Sequence, residues 1–213
     1  MALTAAGPGA PERRIGVFGG AFDPPHNAHV ALARCATEQL ALDELRVIPT
    51  GQAWHKARAL SAAEHRVAMA RLAFGELPGV VVDEREIRRA GPSYTLDTLR
   101  ELRREHPDAQ LLLILGADQG AALPSWHGWR EILGLATVSL AQRPSPDRSE
   151  AAFDPATLPD LPPGARFARI ELPAMALSAT DIRSQASHGE DVSLLVPPAV
   201  ARYIDLHHLY RSA

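Results

Sequence analysis

Short apolar runs alternate along this chain with longer segments in which apolar residues recur every three or four positions. The short runs are typical of buried strands, and the periodic segments are typical of helices with one buried face. Strands are therefore predicted at Arg14–Phe18, Leu45–Pro49, Val80–Val82 with a continuation toward Ile87, Leu111–Leu115, Thr137–Leu140 and Arg166–Leu172. Leu111–Leu115 is the most apolar run, and we expect it at the centre of a sheet.

Helices are predicted between these strands from the same periodicity and from residues that favour helix starts. Ser61 with Glu64 forms a capping-box pattern, and Ser93 precedes leucines at helical spacing. The predicted helices are Asn27–Gln39, one after Ser61 through Phe74, one after Ser93 through Leu102, Trp126–Leu135, one after Ser178, and one from Pro197 or Pro198 to Leu209. This alternation predicts an α/β fold, with a doubly wound, mostly parallel sheet and a small C-terminal helical part.

Several polar or glycine-containing segments follow the predicted strands directly. Ligands of open parallel sheets bind at the carboxyl ends of the strands. The segments at those ends are Gly19-Gly20, Thr50, Gly116-Ala117-Asp118 and Gln142-Arg143. They are far apart in sequence, yet the fold would bring them to one edge, so the pattern predicts a single shared site.

The first strand is followed by two glycines, two prolines and a predicted helix. Gly19 and Gly20 permit positive φ and the close approach of another backbone or a phosphate. Pro24 and Pro25 prevent a helix up to that point and favour one just after it. The segment therefore predicts a strand, a glycine turn and a helix N-terminus.

His26 and His29 stand three residues apart where this helix begins, so their side chains can point in the same direction. The unpaired N–H groups of a first helical turn favour an anion. Two imidazoles at that place can donate hydrogen bonds to a polyphosphate and, if protonated, add positive charge. The alternative, a metal pair, lacks a third Cys, His or carboxylate ligand at zinc-like spacing.

A second segment suited to phosphate binding lies near the C-terminus. Ser178, Thr180 and Arg183 supply two hydroxyls and a guanidinium where another helix is predicted to begin. The alternative role for either hydroxyl is that of a helix cap. Two such segments in one α/β chain indicate an enzyme that transfers a nucleotidyl group.

Other nucleotide-binding classes are disfavoured by what the motifs lack. The chain has neither the Gly-Lys-Ser/Thr of a P-loop nor the Gly-x-Gly-x-x-Gly of dinucleotide-binding dehydrogenases. The formal net charge of −3 provides no general attraction to nucleic acid or to an anionic membrane. The single cysteine, Cys35, excludes an internal disulfide and is interpreted as a small core residue.

The organisation of the chain is predicted from composition. Residues 1–12 are rich in Ala, Gly and Pro and are expected to be a disordered tail. Residues 13–213 are expected to form a single domain, with a proline-rich surface excursion at about 143–165. No apolar run reaches membrane-spanning length, and we expect a cytoplasmic enzyme.

Two motifs and several interior segments resemble a known family. Gly19-Gly20-Ala21-Phe22-Asp23-Pro24-Pro25-His26-Asn27-Ala28-His29 and Ser178-Ala179-Thr180-Asp181-Ile182-Arg183 resemble the nucleotidyltransferase superfamily with the His-x-Gly-His signature, with Ala28 where the family favours glycine. Segments similar to those of the bacterial nicotinate-nucleotide adenylyltransferases are Pro92-Ser93-Tyr94-Thr95, Gly116-Ala117-Asp118, Pro124-Ser125-Trp126 and Gln142-Arg143-Pro144. The resemblance runs from about Ile15 to Tyr210 and implies a Rossmann-like nucleotidyltransferase fold.

The resemblance also implies an activity, namely adenylyl transfer from ATP to nicotinate mononucleotide, which gives nicotinate adenine dinucleotide and pyrophosphate. The implied catalytic residues are His26, His29 and Arg183. The implied ATP-binding residues are Gly19, Gly20, Phe22, Lys56, Gly116, Asp118, Ser178 and Thr180.

The implied mononucleotide site consists of Thr95, Trp126 and Arg143. Thr95 and nearby backbone amides would bind the pyridine carboxylate, Trp126 would stack on the ring, and Arg143 would bind the phosphate. Mg²⁺ would accompany ATP and be held mainly by its phosphates, with no metal ligands from the protein. The expected partners are these two small molecules, with no nucleic acid and no membrane, and a homo-oligomer is left open.

Two alternatives remain at this point. A sister enzyme, acting on nicotinamide mononucleotide or phosphopantetheine, would share the groups that bind ATP. A non-catalytic nucleotide sensor would keep the fold, but loss of a histidine or of Arg183 would then be expected, and all three residues are present.

Overall fold

The computed structural model describes residues 13–52, 60–142, 154–173, 175 and 177–211. The strands are β1 Arg14–Gly20, β2 Glu44–Pro49, β3 Val80–Val82, β4 Gln110–Gly116, β5 Thr137–Gln142 and β6 Phe167–Glu171. The helices are α1 Asn27–Gln39, α2 Ala63–Phe74, α3 Arg85–Arg88, α4 Thr95–Glu105, α5 Ala117–Ala122, α6 Trp129–Leu135, α7 Ala179–Ser187 and α8 Pro198–Leu206. Short 3₁₀ turns occupy Leu123–Ser125 and Pro155–Thr157.

All six strands pair in parallel in the order β3-β2-β1-β4-β5-β6. The order reverses between β1 and β4, which creates the crevice in which doubly wound sheets bind ligands. The predicted α/β fold with a parallel sheet is therefore confirmed, and β4 is one of its two central strands.

The side chains of β4 show how the sheet is covered on both faces. Leu111, Leu113 and Leu115 are at most 5% exposed and pack in one core cluster with residues of α4 and α6. Leu112 and Ile114 point to the opposite face and pack with residues of α1. Successive side chains of a strand alternate between faces, so an unbroken apolar run requires helices on both sides.

A third apolar cluster forms the C-terminal helical part. Residues of α7 and α8 pack there against Met69 of α2, which is fully buried. The predicted C-terminal helices are thus confirmed, and α2 is the element that connects them to the sheet. Among the described residues, no helix combines the length and apolar character needed to cross a bilayer.

Two predicted helix caps are wrong. α2 begins after Ala62, and the Ser61 N–H donates to the carboxylate of Asp23. α4 begins after Tyr94, and the N–H of the buried Ser93 donates to the carbonyl of Gln52. In both cases a contact with a distant segment fixes the serine outside the helix and overrides the local capping pattern.

Two predicted boundaries also change. β3 does not continue toward Ile87, because the Asp83 carboxylate accepts from the Arg85 N–H and starts α3. α6 begins at Trp129 after the left-handed Gly128, so Trp126 lies in the preceding turn. Residues 154–165, the described part of the predicted surface excursion, are mostly exposed, and Leu158 is buried in the core. Residues 1–12 and 143–153 lie outside the described residues.

Candidate active site

The carboxyl ends of the central strands carry the polar segments that the sequence pointed to. The Thr50 N–H donates to the Gly20 carbonyl at 2.8 Å, which joins the end of β1 to the segment after β2. Gly116 at the end of β4 is paired with Ala141 of β5. The predicted convergence on one edge of the sheet is confirmed for these residues.

The predicted glycine turn is wrong in its details. Gly19 and Gly20 remain in β1, and the left-handed residue is Phe22, with φ of 48°. The Phe22 ring is 2% exposed and packs edge-on against Phe74, with ring centroids 5.4 Å apart. Because this ring is buried, any contact of Phe22 with a nucleotide would come from its backbone.

The two glycines differ in the space that a side chain would have at each position. A Cβ on Gly20 would lie 2.9 Å from the Phe22 ring, closer than packed side chains approach one another. A Cβ on Gly19 would meet nothing within 4 Å. Gly20 is therefore required by packing, and Gly19 leaves open space above the strand end.

His26 and His29 form a stacked pair at the N-terminus of α1. Their ring centroids are 3.7 Å apart with an angle of 21° between the planes. The His26 backbone N–H donates to His29 Nδ1 at 3.2 Å, so a neutral His29 carries its proton on Nε2. The prediction that the two side chains point the same way is confirmed.

His26 lies in a more buried environment than its partner. Its side chain is 6% exposed, and its Nδ1 has no hydrogen-bond partner within the described chain. Burial lowers the pKa of His26 from 6.5 to about 4. The free protein therefore holds this imidazole neutral at pH 7, as a hydrogen-bonding group without charge.

Arg183 is brought to the same loop from the other end of the chain. Its Nη1 donates to the Asp23 carbonyl at 2.8 Å, and its Nη2 donates to Thr180 Oγ1 at 3.1 Å. Ser178 caps α7, since its hydroxyl accepts from the Asp181 N–H at 3.1 Å. The cap role is thus present, and the structure joins the two segments predicted to bind phosphate.

A separate group of elements lies beside Thr95, which is partly buried at the start of α4. The Tyr94 and His127 rings are 4.6 Å apart, and Gly128 lies against the Leu96 side chain. Trp126, which directly precedes His127, is also partly buried and packs against the core. The structure thus brings the segments that carry Thr95 and Trp126 together.

The remaining predicted residues are placed less fully. Asp118 is exposed in the first turn of α5, directly after Gly116. Lys56 and Arg143 lie outside the described residues. Over the described part of the chain, no group of three His, Cys, Asp or Glu side chains has an arrangement that could hold a metal ion.

Three residues that hold this site together were not predicted as site residues: Asp23, Arg66 and Tyr210. Asp23, which precedes a proline, was interpreted as a residue that shapes the turn, yet it is 2% exposed and accepts from Tyr210 Oη at 2.8 Å. Arg66 is 3% exposed and donates to the carbonyls of Ala21 and Thr50. The burial of Arg66 could have been predicted from the sequence, because Arg66 stands three and four residues before apolar positions of α2 and so lies on the same helix face. No local pattern pointed to Tyr210.

A cavity of about 470 Å³, lined by none of the predicted site residues, lies between the Gly189–Ser193 segment and α8. Its lining includes the carboxylates of Glu190, Asp191 and Asp205, with Arg202 as the basic residue. Three carboxylates would repel a triphosphate. The strand-end cluster is therefore the candidate nucleotide site.

Comparisons with known proteins identify the family of this chain. Residues 17–185 match the model of the cytidylyltransferase-like family, which places the chain in that class. A probable nicotinate-nucleotide adenylyltransferase of Albidiferax ferrireducens is 56% identical over 201 residues, which cover 94% of this chain and all of the relative. One from Methylibium petroleiphilum is 44% identical, with 94% of each chain covered. The chain belongs to the nicotinate-nucleotide adenylyltransferase family.

Solved structures support the fold. The nicotinic acid mononucleotide adenylyltransferase of Plasmodium falciparum complexed with NaAD superposes with a TM-score of 0.74 over 93% of this chain and 98% of that one. The two sequences are 18% identical. At this identity the likeness extends to the fold, a Rossmann-like sheet with helices.

Proposed function

We propose that this protein transfers the adenylyl group of ATP to nicotinate mononucleotide, giving nicotinate adenine dinucleotide and pyrophosphate. The observation that carries the proposal is the joining of His26, His29 and Arg183 around one helix N-terminus at the switch point of the sheet. Family membership supports it, since relatives that match over nearly the whole chain carry the name of this activity.

The chemistry requires positioning and electrostatics more than proton transfer. The nucleophile is a phosphate oxygen of the mononucleotide, which attacks the α-phosphorus of ATP while the bond to the pyrophosphate oxygen breaks. The attacking oxygen of the mononucleotide is already anionic, so no general base is needed. The barrier lies in bringing two anions together and in the charge that develops on pyrophosphate.

The phosphate-binding side of this scheme uses fixed donors. His29 presents Nε2–H because its Nδ1 is occupied by the His26 N–H. Arg183 is held beside the loop through the Asp23 carbonyl and adds positive charge. Gly19 leaves open space at the strand end, and ATP is proposed to lie there, over β1. Further contacts with ATP are proposed for Gly20, the Phe22 backbone, Lys56, Ser178 and Thr180. Gly116 and Asp118 are proposed to lie beside the adenosine ribose.

Magnesium enters this scheme with the nucleotide. The described phosphate-binding groups are imidazoles, hydroxyls and a guanidinium, which suit anions better than a hard cation. We therefore propose that the substrate is the Mg²⁺ complex of ATP, with the ion held mainly by phosphate oxygens. Bound with ATP, Mg²⁺ would supply positive charge beside the phosphates.

The mononucleotide is proposed to bind at the start of α4. The N-cap residue Tyr94 makes no side-chain capping hydrogen bond, and Thr95 opens the first turn of the helix. The unpaired N–H groups of a first turn favour the pyridine carboxylate. Trp126 would stack on the ring, and Arg143 would bind the phosphate. A cytoplasmic location and any homo-oligomer stay predictions.

The proposal is tested by pyrophosphate release from ATP and Mg²⁺ with three acceptors in turn: nicotinate mononucleotide, nicotinamide mononucleotide and phosphopantetheine. Release with the first, together with a dinucleotide of the expected mass, supports the proposal. Release with only one of the others would assign a sister activity. Binding of ATP without turnover of any acceptor would favour the nucleotide sensor.

A further inference from the structure

Asp23 is the buried point at which several distant segments meet. Its carboxylate accepts from Tyr210 Oη at 2.8 Å and from the Ser61 N–H at 3.2 Å. Its carbonyl accepts from Arg183 Nη1 at 2.8 Å. The residue stands three positions before His26, so its contacts fix the loop that leads into the histidine pair.

Arg66 provides a cation near this buried carboxylate. Burial lowers the pKa of Arg66, and the negative charge of Asp23 raises it and so offsets part of this effect. The guanidinium also donates to the carbonyls of Ala21, Thr50 and Ser61 at 3.1, 2.6 and 3.0 Å. The loop after β1, the segment after β2 and the start of α2 are therefore tied together below the nucleotide site.

Tyr210 reaches this group only through an unusual backbone path. After α8 ends at Leu206, His208 and Tyr210 adopt φ of 49° and 69°. Residues other than glycine occupy this region rarely, and they remain there where the surroundings fix them. Its hydroxyl lies 3.9 Å from the Met69 sulfur and donates a hydrogen bond to Asp23. Tyr210 therefore contacts both α2 and the loop after β1.

The direction of the Tyr210 hydrogen bond is determined by its partner. An ionised carboxylate can only accept, so the phenol must donate. Burial and the neighbouring Asp23 charge raise the pKa of Tyr210 far above its usual value. The donor is therefore protonated at every pH at which the protein would work.

We propose that Tyr210 is a positioning residue for nucleotide binding, which acts through Asp23 to hold His26, His29 and Arg183 in the arrangement that grips the triphosphate. This inference rests on the proposed function for the identity of the ligand. Tyr210 itself touches no substrate in the proposal. Its loss should therefore affect ATP more than the mononucleotide, whose site is built from other elements.

The test is Tyr210→Phe, which removes one hydroxyl and keeps the ring. Isothermal titration with ATP and Mg²⁺, without the mononucleotide, is expected to show a dissociation constant raised about tenfold, the scale of one hydrogen bond to a charged group. In turnover, kcat should fall and the KM for ATP should rise, with the KM for the mononucleotide within about twofold of wild type.

The matched control is Tyr203→Phe. Tyr203 lies on α8, and its hydroxyl is 3.0 Å from His65 Nδ1, away from Asp23. This variant removes the same atom from the same part of the chain and is expected to leave ATP binding and turnover unchanged. Asp23→Ala serves as a second variant, because alanine has no acceptor for the Tyr210 hydroxyl. The effect of Tyr210→Phe should shrink in that background, since both changes then remove the same hydrogen bond.

Three outcomes would overturn the proposal. The first is a lower melting temperature of Tyr210→Phe with normal ATP binding and kinetics at 25 °C. The second is an equal loss toward ATP and mononucleotide. The third is full additivity of Tyr210→Phe with Asp23→Ala. A wild type that fails to bind ATP would show that the proposed function is wrong. A wild type that binds ATP together with a Tyr210→Phe variant that binds it equally well would overturn only the positioning role of Tyr210.

Discussion

At the scale of single residues, the two histidines differ because their surroundings differ. His29 accepts from the His26 N–H through Nδ1, which fixes Nε2–H as its donor toward the site. His26 is buried, and its pKa is lowered to about 4. The sequence predicted the pair and its direction from spacing alone, but neither the tautomer of His29 nor the neutrality of His26 follows from spacing. Both depend on tertiary burial.

His29→Ala is expected to lower kcat by about 10²–10³-fold, because one pre-aimed donor toward the transition state is lost. The fold should persist, since His29 is only partly buried. Steady-state kinetics with saturating ATP measure the effect. His188→Ala is the control, because this exposed histidine at the end of α7 bonds to the Ser184 carbonyl of its own helix. A His29→Ala rate within threefold of wild type would exclude His29 as a transition-state contact.

The lowered pKa of His26 also predicts how stability depends on pH. The unfolded imidazole takes up a proton near pH 6.5, whereas the folded one does so only near pH 4. Between these values the unfolded state binds more protons, so the free energy of unfolding falls as pH decreases. The loss reaches roughly 3 kcal/mol at pH 4.

Urea unfolding of wild type and His26→Gln between pH 7 and pH 4 isolates this contribution, because glutamine does not titrate. The wild type should lose stability more steeply than the variant over this range. Parallel curves for the two proteins would show that His26 is not held neutral by burial.

At the scale of elements, local patterns predicted interiors better than boundaries. α1 was predicted with its observed bounds because Pro25 precedes it and its apolar face is regular. The caps at Ser61 and Ser93 were wrong because partners far along the chain, Asp23 and Gln52, take their backbone groups. The turn after β1 was placed on the glycines, whereas packing puts the left-handed conformation on Phe22.

The two glycines of β1 should therefore respond differently to substitution. Gly20→Ala would displace the Phe22 ring and with it His29, whose ring centroid is 5.3 Å from that of Phe22. Overpacking of this kind costs about 1–3 kcal/mol of stability. Gly19→Ala should leave the free energy of unfolding within about 0.5 kcal/mol of wild type and weaken ATP binding, since its Cβ enters the open space above the strand.

Thermal unfolding and ATP titration of both glycine variants separate these effects. A Gly19→Ala protein as unstable as Gly20→Ala would contradict the packing account. Unchanged ATP binding in Gly19→Ala would remove ATP from the place proposed for it over β1.

At the scale of the whole molecule, topology explains why so much of the site could be predicted. Parallel strands bring their carboxyl ends to one edge, so Gly20, Thr50 and Gly116 could be grouped from the order of strands and helices alone. The bond between Arg183 and the Asp23 carbonyl, and the Tyr210 contact with the Asp23 carboxylate, span 160 and 187 residues. No periodicity or local motif encodes contacts at such separations, so these required the folded chain.

The choice between acid and amide mononucleotide tests the central claim most directly. Backbone donors at the start of α4, where Tyr94 makes no side-chain cap, would bind a carboxylate. They would meet the amide NH₂ as a further donor and leave buried groups unpaired at about 1–3 kcal/mol each. The measurement is kcat/KM for nicotinate and nicotinamide mononucleotide under identical ATP and Mg²⁺. We expect a preference of about a hundredfold or more for nicotinate mononucleotide. Equal values, or a preference for the amide, would show that this pocket does not select a carboxylate.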